Sequence, residues 1–270
     1  MNERVAAKRE KLFVIKIGGN VIDDDQNLSK FLKTFASINE RKILVHGGGK
    51  IATTLGDKLG IKSNYINGRR ITDDETISLV TMVYGGLVNK KIVSVLQSFS
   101  CNSFGVTGAD GNLIPAIKRP VKEIDFGWVG DVIENNKPTN WNLFLDNGLT
   151  PVVAPLSHDG KGNMLNINAD TIASAIAVQL AAKYEVCLIY CFEKNGVLKN
   201  IDDEQSVIKK IDRTIFEELV KDNIVNAGMI PKIENALNAI DKGVNKIVIG
   251  KAEDLIANIS ENTKGTTFYK

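Results

Sequence analysis

The sequence predicts an α/β fold: a mainly parallel central sheet with helices on both faces, a three-layer sandwich continuous through two lobes. Three observations carry this. The opening sixty residues spell strand, helix, strand, helix, the alternation that parallel strands need because each crossover must return the chain to the same end. The strands read as short unbroken apolar runs, as strands buried on both faces do. No proline-rich or serine-rich linker interrupts the 270 residues, so residues 1–180 and 181–270 form two lobes that share one sheet.

The elements follow in order. Residues 12–17 are a β-branched run that stops at Gly18-Gly19, and Leu28, Phe31, Leu32 and Phe35 then recur at helical spacing. Residues 42–45 form the next strand and run into Gly47-Gly48-Gly49, after which Ile51, Leu55 and Leu59 carry a helix. Asn67-Gly68 is a hairpin signal, and Asp73 opens a helix rich in small residues. Glycines 108, 111, 127 and 130 punctuate short strands over 103–134. A buried strand over 150–155, a turn at Asp159-Gly160, a strand over 164–167 and an alanine-rich helix over 168–182 follow. The strand over 186–192 is the most apolar in the chain, and helices over 214–220 and 229–242 precede a last strand over 246–249.

Composition excludes several functions. Hydrophobic residues make up 43% and charged residues 24%, and 34 basic against 32 acidic side chains leave a net charge of +2. Such a balance favours neither nucleic acid nor an anionic membrane. Three cysteines (Cys101, Cys187, Cys191) and two histidines (His46, His158) are too few and too scattered for a disulfide framework or a zinc cluster, so no metal site is expected. The polar N-terminus lacks a signal-peptide core, and no run approaches the ~18 apolar residues of a membrane span. A cytoplasmic protein acting on a small molecule is the expectation.

The chemistry gathers at a few places. Gly18-Gly19 and Gly47-Gly48-Gly49 each close a strand and precede a helix, where backbone N–H groups and the helix dipole favour an anion. Tight turns alone also use glycine, but three in succession exceed that need. Lys16 ends a strand that otherwise reads as buried, so it needs an anion or a route to solvent. Lys232 follows Pro231 early in a helix, again near a positive dipole end, although a surface lysine fits there too. In Asn166-Ile167-Asn168-Ala169-Asp170 the last two polar residues suit an N-cap and a first turn, while Asn166 is surplus to a cap.

The dinucleotide fingerprint at 47–52 lacks its acidic partner, and a P-loop fails because Ile51 stands where Ser or Thr is required. No nucleophile elbow or zinc-protease motif is present. Paired lysines and glycine turns without an evident base suit phosphoryl transfer, which relies on positioning and charge neutralisation.

These residues resemble the amino-acid kinases over nearly the whole chain. The resemblance rests on five ordered motifs: 14–19 (Val-Ile-Lys-Ile-Gly-Gly), 45–49 (Val-His-Gly-Gly-Gly), 67–72 (Asn-Gly-Arg-Arg-Ile-Thr), 164–170 (Met-Leu-Asn-Ile-Asn-Ala-Asp) and 228–232 (Gly-Met-Ile-Pro-Lys). It implies β-hairpins over the substrate site. It also implies ATP, with Mg2+, phosphorylating the side-chain carboxylate of N-acetyl-L-glutamate to N-acetyl-L-glutamyl 5-phosphate in arginine synthesis. Lys16 and Lys232 would neutralise the phosphoryl group, Asp170 would hold both lysines, and Gly19, Gly48 and Gly49 would donate N–H groups. Arg70 would grip the α-carboxylate with Asn166 beside the acylamino group, and Asn168 would also bind substrate. Glu193, Lys194, Asn195, Gly196, Val197 and Leu198, with Ile224, Val225 and Asn226, match the family's ATP segments. Residues 1–180 would then bind acylglutamate and dimerise, and 181–270 would bind ATP.

Arginine-inhibited members resemble hexamers joined by a long N-terminal helix, whereas about ten polar residues precede the first strand here. A homodimer insensitive to arginine, meeting through 82–88, is therefore expected. Two departures stand out: Glu193 replaces the usual aspartate, and Arg69 replaces an apolar residue. Arg69 opens the alternative of N-succinyl-L-glutamate as substrate, although strand alternation points it away if Arg70 faces the ligand. Carbamate kinase, aspartokinase and glutamate 5-kinase activities, a non-catalytic sensor on the same fold and a dinucleotide oxidoreductase are the other readings.

Overall fold

The structure, a computed structural model, describes residues 9–66, 68–134, 140–225 and 229–270, with Asn20 described by its backbone alone. Asn67, Asn226 and Gly228, which the sequence analysis singles out, lie outside the described residues.

Strand β1 (Lys11–Ile17) is buried from Leu12 onward and gives way at Gly18 to α1 (Gly19–Asp23) and α2 (Asp25–Ala36). Asp24 caps α2 by accepting the Asn27 N–H at 2.7 Å, and Leu28, Phe31, Leu32 and Phe35 form its buried stripe as their spacing predicts. Next come β2 (Arg41–His46) and α3 (Gly49–Leu59). On α3, Ile51 and Leu55 pack partly buried against the core as expected, Ala52 and Gly56 are buried outright, and Leu59 alone departs, at 55% exposed. A Cβ at Gly56 would stand 2.8 Å from both Ile61 O and Leu79 Cδ2, so the helix approaches its neighbour through its smallest residues rather than its largest.

The hairpin pairs β3 (Tyr65–Ile66) with β4 (Arg69–Arg70). One 25-residue helix follows, built from α4 (Asp74–Val80), a π-helical segment over Thr81–Val88 and α5 (Asn89–Ser98). Asp73 caps it by accepting the Thr76 N–H at 2.8 Å. With a mean hydropathy of 1.3 it is long and apolar enough to cross a membrane, contrary to the expectation that no run approaches that length. Its buried residues, Leu79, Val83, Ile92 and Leu96 among them, pack in the core beside the sheet instead.

The chain continues through β5 (Ser103–Val106), β6 (Ala116–Lys118), β7 (Gly130–Val132), α6 (Trp141–Leu145), β8 (Thr150–Val153), β9 (Leu156–His158) and β10 (Met164–Asn166). Then α7 (Ala169–Leu180), β11 (Glu185–Phe192), β12 (Lys210–Ile211), α8 (Arg213–Lys221), α9 (Ile230–Asp241), β13 (Lys246–Lys251), α10 (Leu255–Ile259) and β14 (Thr266–Phe268) complete it.

Eight strands form one sheet in the order β12-β14-β13-β11-β1-β2-β8-β5, parallel throughout except where β14 runs antiparallel to β13. Strand alternation divides the core in two. Leu12, Val14, Ile43, Val45, Val186 and Leu188 face α7 and α9. Phe13, Ile15, Ile17, Leu44, Cys187 and Ile189 face α2, α5 and the π segment. The expected three-layer α/β architecture, with a mainly parallel sheet, is what the chain adopts.

Candidate active site

A cavity of about 590 Å³ opens beyond the carboxyl ends of the central strands. Open α/β sheets place their ligands at this edge, where strand-to-helix turns converge. Gly47, Gly48 and Gly49 line it after β2, Pro155 after β8, Phe192 at the end of β11 and Ile249 in β13. Arg70, Asn166, Asn168, Asp170 and Lys232 line it as well, so most of the expected substrate residues and one of the two lysines share one wall system.

Lys16 reaches this site through β1's alternation. Leu12 and Val14 face α7, so Lys16 does too, and only 7% of it is exposed. Its ammonium lies 2.8 Å from Asp170 Oδ1, an ion pair whose angle leaves that oxygen without a directed hydrogen bond. A Cβ at Gly18 would come within 3.2 Å of the same Nζ, so the first glycine turn keeps room for the lysine head. Asp170 stands in the first turn of α7 because Asn168 caps that helix, its Oδ1 accepting the N–H groups of Asp170 at 2.7 Å and Thr171 at 3.4 Å. Gly19 is not on the cavity wall, and Lys16 contributes to it by way of Asp170.

Lys232 makes no ion pair with Asp170, so the carboxylate holds one lysine rather than both. The group the two lysines share is the Phe192 ring, with Lys16 Nζ 5.1 Å and Lys232 Nζ 4.4 Å from its centroid. Both distances suit cation–π attraction. Tyr190 stacks on Phe192 at 6.2 Å and 21° between planes; burial and the nearby Asp170 charge push its phenol up, so it stays protonated. Sequence reasoning missed Phe192 as a site residue. The usable signal was its even position in β11, on the same face as Val186 and Leu188 and therefore as Lys16.

The second glycine turn rests on aromatic and polar supports. Gly48 has φ +146°, and a Cβ there would lie 3.1 Å from Tyr84 Cδ1, so only glycine fits between α3 and the π segment that presents Tyr84. Beneath it His46 is fully buried, with Nδ1 2.7 Å from Gly47 O and Nε2 3.1 Å from Asn89 Nδ2. The amide must donate to Nε2, so Nδ1 carries the proton and donates to Gly47 O. Burial is the main cause that pulls His46 down to about 4, leaving it neutral at physiological pH.

Between pH 6.5 and 4 the unfolded chain binds a proton at His46 that the folded chain refuses. Stability therefore rises with pH across that window and falls as pH drops through it, by up to about 3 kcal/mol. Urea unfolding at pH 5 and pH 7 is expected to show this slope in the wild type and a shallower one in His46→Asn; equal slopes would remove His46 as its source.

Arg70 is 7% exposed, and its guanidinium donates from Nη2 to Gly49 O at 2.8 Å and Thr53 Oγ1 at 2.9 Å, and from Nη1 to Ser63 Oγ. These acceptors are neutral, so its charge remains available to a carboxylate. Arg69 is exposed, as alternation predicts, yet it borders the cavity at its rim. Asn166 Nδ2 donates to Thr72 Oγ1 at 3.0 Å. Tyr65, Tyr84, Arg119 and Asn235 also line the cavity, and none was foreseen.

None of the described residues of the expected nucleotide segments lines this cavity, although Glu193 directly follows Phe192, which does. Lys194 pairs with Glu204 at 3.6 Å, Asn195 Nδ2 donates to Glu204 O at 2.9 Å, and the Val197 N–H donates to Thr266 Oγ1 at 2.8 Å. Glu193, Gly196 and Leu198 are likewise absent from the lining, and Ile224 and Val225 pack on the core. Among the described residues no group of three His, Cys, Asp or Glu side chains is arranged to hold a metal.

Residues 11–251 match the profile of the Amino acid kinase family. The chain is 53% identical over 259 residues to an acetylglutamate kinase of Cytophaga hutchinsonii, covering 95% of this chain and 98% of that protein. An acetylglutamate kinase of Bacteroides thetaiotaomicron is 50% identical over 262 residues, covering 97% and 100%. Among solved structures, carbamate kinase of Giardia lamblia bound to AMP-PNP superposes with a TM-score of 0.71 at 13% identity, over 98% of this chain and 99% of that one, a likeness of fold.

Proposed function

The chain belongs to the amino acid kinase family, and from that membership we propose that it transfers the γ-phosphoryl group of ATP to the side-chain carboxylate of N-acetyl-L-glutamate. The observation that carries this reading is identity of 50–53% to acetylglutamate kinases over nearly the full length of both chains. The products are ADP and N-acetyl-L-glutamyl 5-phosphate, an intermediate of arginine biosynthesis.

A carboxylate oxygen attacks the γ-phosphorus while the bond to the bridging oxygen breaks, and its electron pair leaves with ADP. Charge grows on the phosphoryl oxygens and the leaving oxygen, so cations and N–H groups aimed there lower the barrier. In this reading Lys16 and Lys232 are those cations, Asp170 orients Lys16, and Gly19, Gly48 and Gly49 supply N–H groups. Arg70 binds the α-carboxylate, supported by its neutral partners, and Asn166 and Asn168 flank the acylamino group. Mg2+ enters with ATP as part of the co-substrate. Residues 1–180 bind acylglutamate, and 181–270 bind ATP through 193–198 and 224–226.

A coupled ADP-release assay tests this. Turnover with N-acetyl-L-glutamate, and little with carbamate, free glutamate or N-acetyl-L-aspartate, is expected; no ADP release with N-acetyl-L-glutamate would overturn it. The same proposal includes a cytoplasmic homodimer insensitive to arginine. Met82 and Leu87, 56% and 54% exposed on the π segment, support contact through that face. Light scattering at the mass of two chains supports the dimer, and a single-chain mass or a hexamer rejects it.

A further inference from the structure

Two ammonium groups stand where the reading above puts the phosphoryl group, and one carboxylate answers them. Asp170 pairs with Lys16 at 2.8 Å, while Lys232 makes no ion pair among the described residues. What the two lysines share is the Phe192 ring, half-buried on the cavity wall, with Nζ of Lys16 and Lys232 at 5.1 and 4.4 Å from its centroid.

The fold fixes that ring from behind. Lys16 is paired across β1 and β11 with Tyr190, so Tyr190 and Phe192, two residues on, project from the same face of the sheet as Lys16. Tyr190 stacks on Phe192 with planes 21° apart, and its phenol donates to Asp170 O at 3.2 Å. The tyrosine therefore ties the ring to the first turn of α7, the turn whose carboxylate meets Lys16. Lys232 comes from the first turn of α9, beside Pro231, and α9 packs against α7.

A ring suits this place for an electrostatic reason. A second carboxylate would neutralise Lys232 and repel the phosphate oxygens that the lysine has to meet. An aromatic face attracts an ammonium through its quadrupole yet carries no net charge. With neither partner, two ammonium groups on flexible stems would repel each other and turn towards water. Phe192 keeps Lys232 beside the cavity with its charge undiminished.

We propose that Phe192 is a positioning residue for phosphoryl transfer, its ring holding the Lys16 and Lys232 ammonium groups beside the cavity until the phosphoryl group draws them off. This inference rests on the kinase reading. It adds the group that does for Lys232 what Asp170 does for Lys16.

The test separates the shape of the ring from its charge. Replacing Phe192 with 4-fluoro-, 3,5-difluoro- and 3,4,5-trifluorophenylalanine keeps the packing nearly constant while draining the negative face step by step. A stepwise fall in kcat along that series is expected, with KM for the acylglutamate changed far less. Phe192→Leu, which removes the ring, should lower kcat by about 5- to 30-fold, the loss of two cation–π contacts, and Phe192→Tyr should keep most of the rate. In a Lys232→Ala background the leucine substitution should cost less, because part of what the ring holds is already gone. A kcat unchanged across the fluorinated series, or a leucine loss as large in Lys232→Ala as in the wild type, would each overturn the role. The fluorinated enzymes keep the test decisive if Phe192→Leu fails to fold. Either of those failures leaves turnover, and with it the kinase reading, standing. A wild type that phosphorylates no N-acylglutamate would remove the kinase reading and this role together.

Discussion

Lys16→Ala is expected to lower kcat by about 100-fold or more while changing KM far less, the pattern for a group whose charge matters most in the transition state. The ion pair makes this the larger of the two lysine losses. Removing the ammonium deletes a cation and also leaves the Asp170 carboxylate unbalanced, 25% exposed, beside the transferring phosphoryl group. Lys232 has no ion pair among the described residues, so Lys232→Ala deletes its charge and its contact with the Phe192 ring but leaves no carboxylate unbalanced. The order Lys16→Ala worse than Lys232→Ala follows, and adding Asp170→Asn to Lys16→Ala should recover part of the loss, since residues in one ion pair do not act additively. Single-turnover rates at saturating substrate provide the check. A Lys16→Ala enzyme within a few-fold of wild-type kcat would take Lys16 out of the chemistry.

Arg70→Gln is expected to raise KM for the acylglutamate by about 10- to 150-fold, with kcat and KM for ATP changed much less. The guanidinium is held at three points, to Gly49 O, Thr53 and Ser63, with the Tyr65 ring 4.8 Å away. It is therefore ordered before substrate arrives, and little entropy is lost when a carboxylate meets it. The same contacts tie the hairpin to α3, so thermal unfolding of the variant must be measured beside its kinetics. A fall in kcat at unchanged KM would assign Arg70 to the phosphoryl end instead.

The parts of this molecule legible in its sequence are those set by near neighbours. The apolar runs of β1, β2 and β11, the glycine turns and the Asn168 cap depend on residues within a few positions, and each lies where its pattern predicts. What was not legible depends on segments that meet only after folding. Phe192 between two lysines requires β1, β11 and α9 to converge. Arg119 becomes a site residue through its pairing with Val129 and the bridge from Val129 to Asn166. Beside Ile51 and Leu55, α3 buries Ala52 and Gly56 and leaves Leu59 exposed, because the backbone at Ile61 and the Leu79 side chain press close at Gly56. No local pattern encodes that approach.

The position of β1 also bears on how the chain is made. It lies in the middle of the sheet, with β2 on one flank and β11 on the other, and Lys11 is paired with Glu185. At ribosomal speeds of ~5–20 residues per second, the second partner emerges on the order of 10 to 30 s after β1 itself. For that interval one flank of β1 is an open strand edge, the kind of surface along which chains aggregate. A charge facing the sheet's neighbouring layer discourages such pairing. Lys16, synthesised well before Asp170, places an uncompensated charge on that strand for as long as its edge stays open.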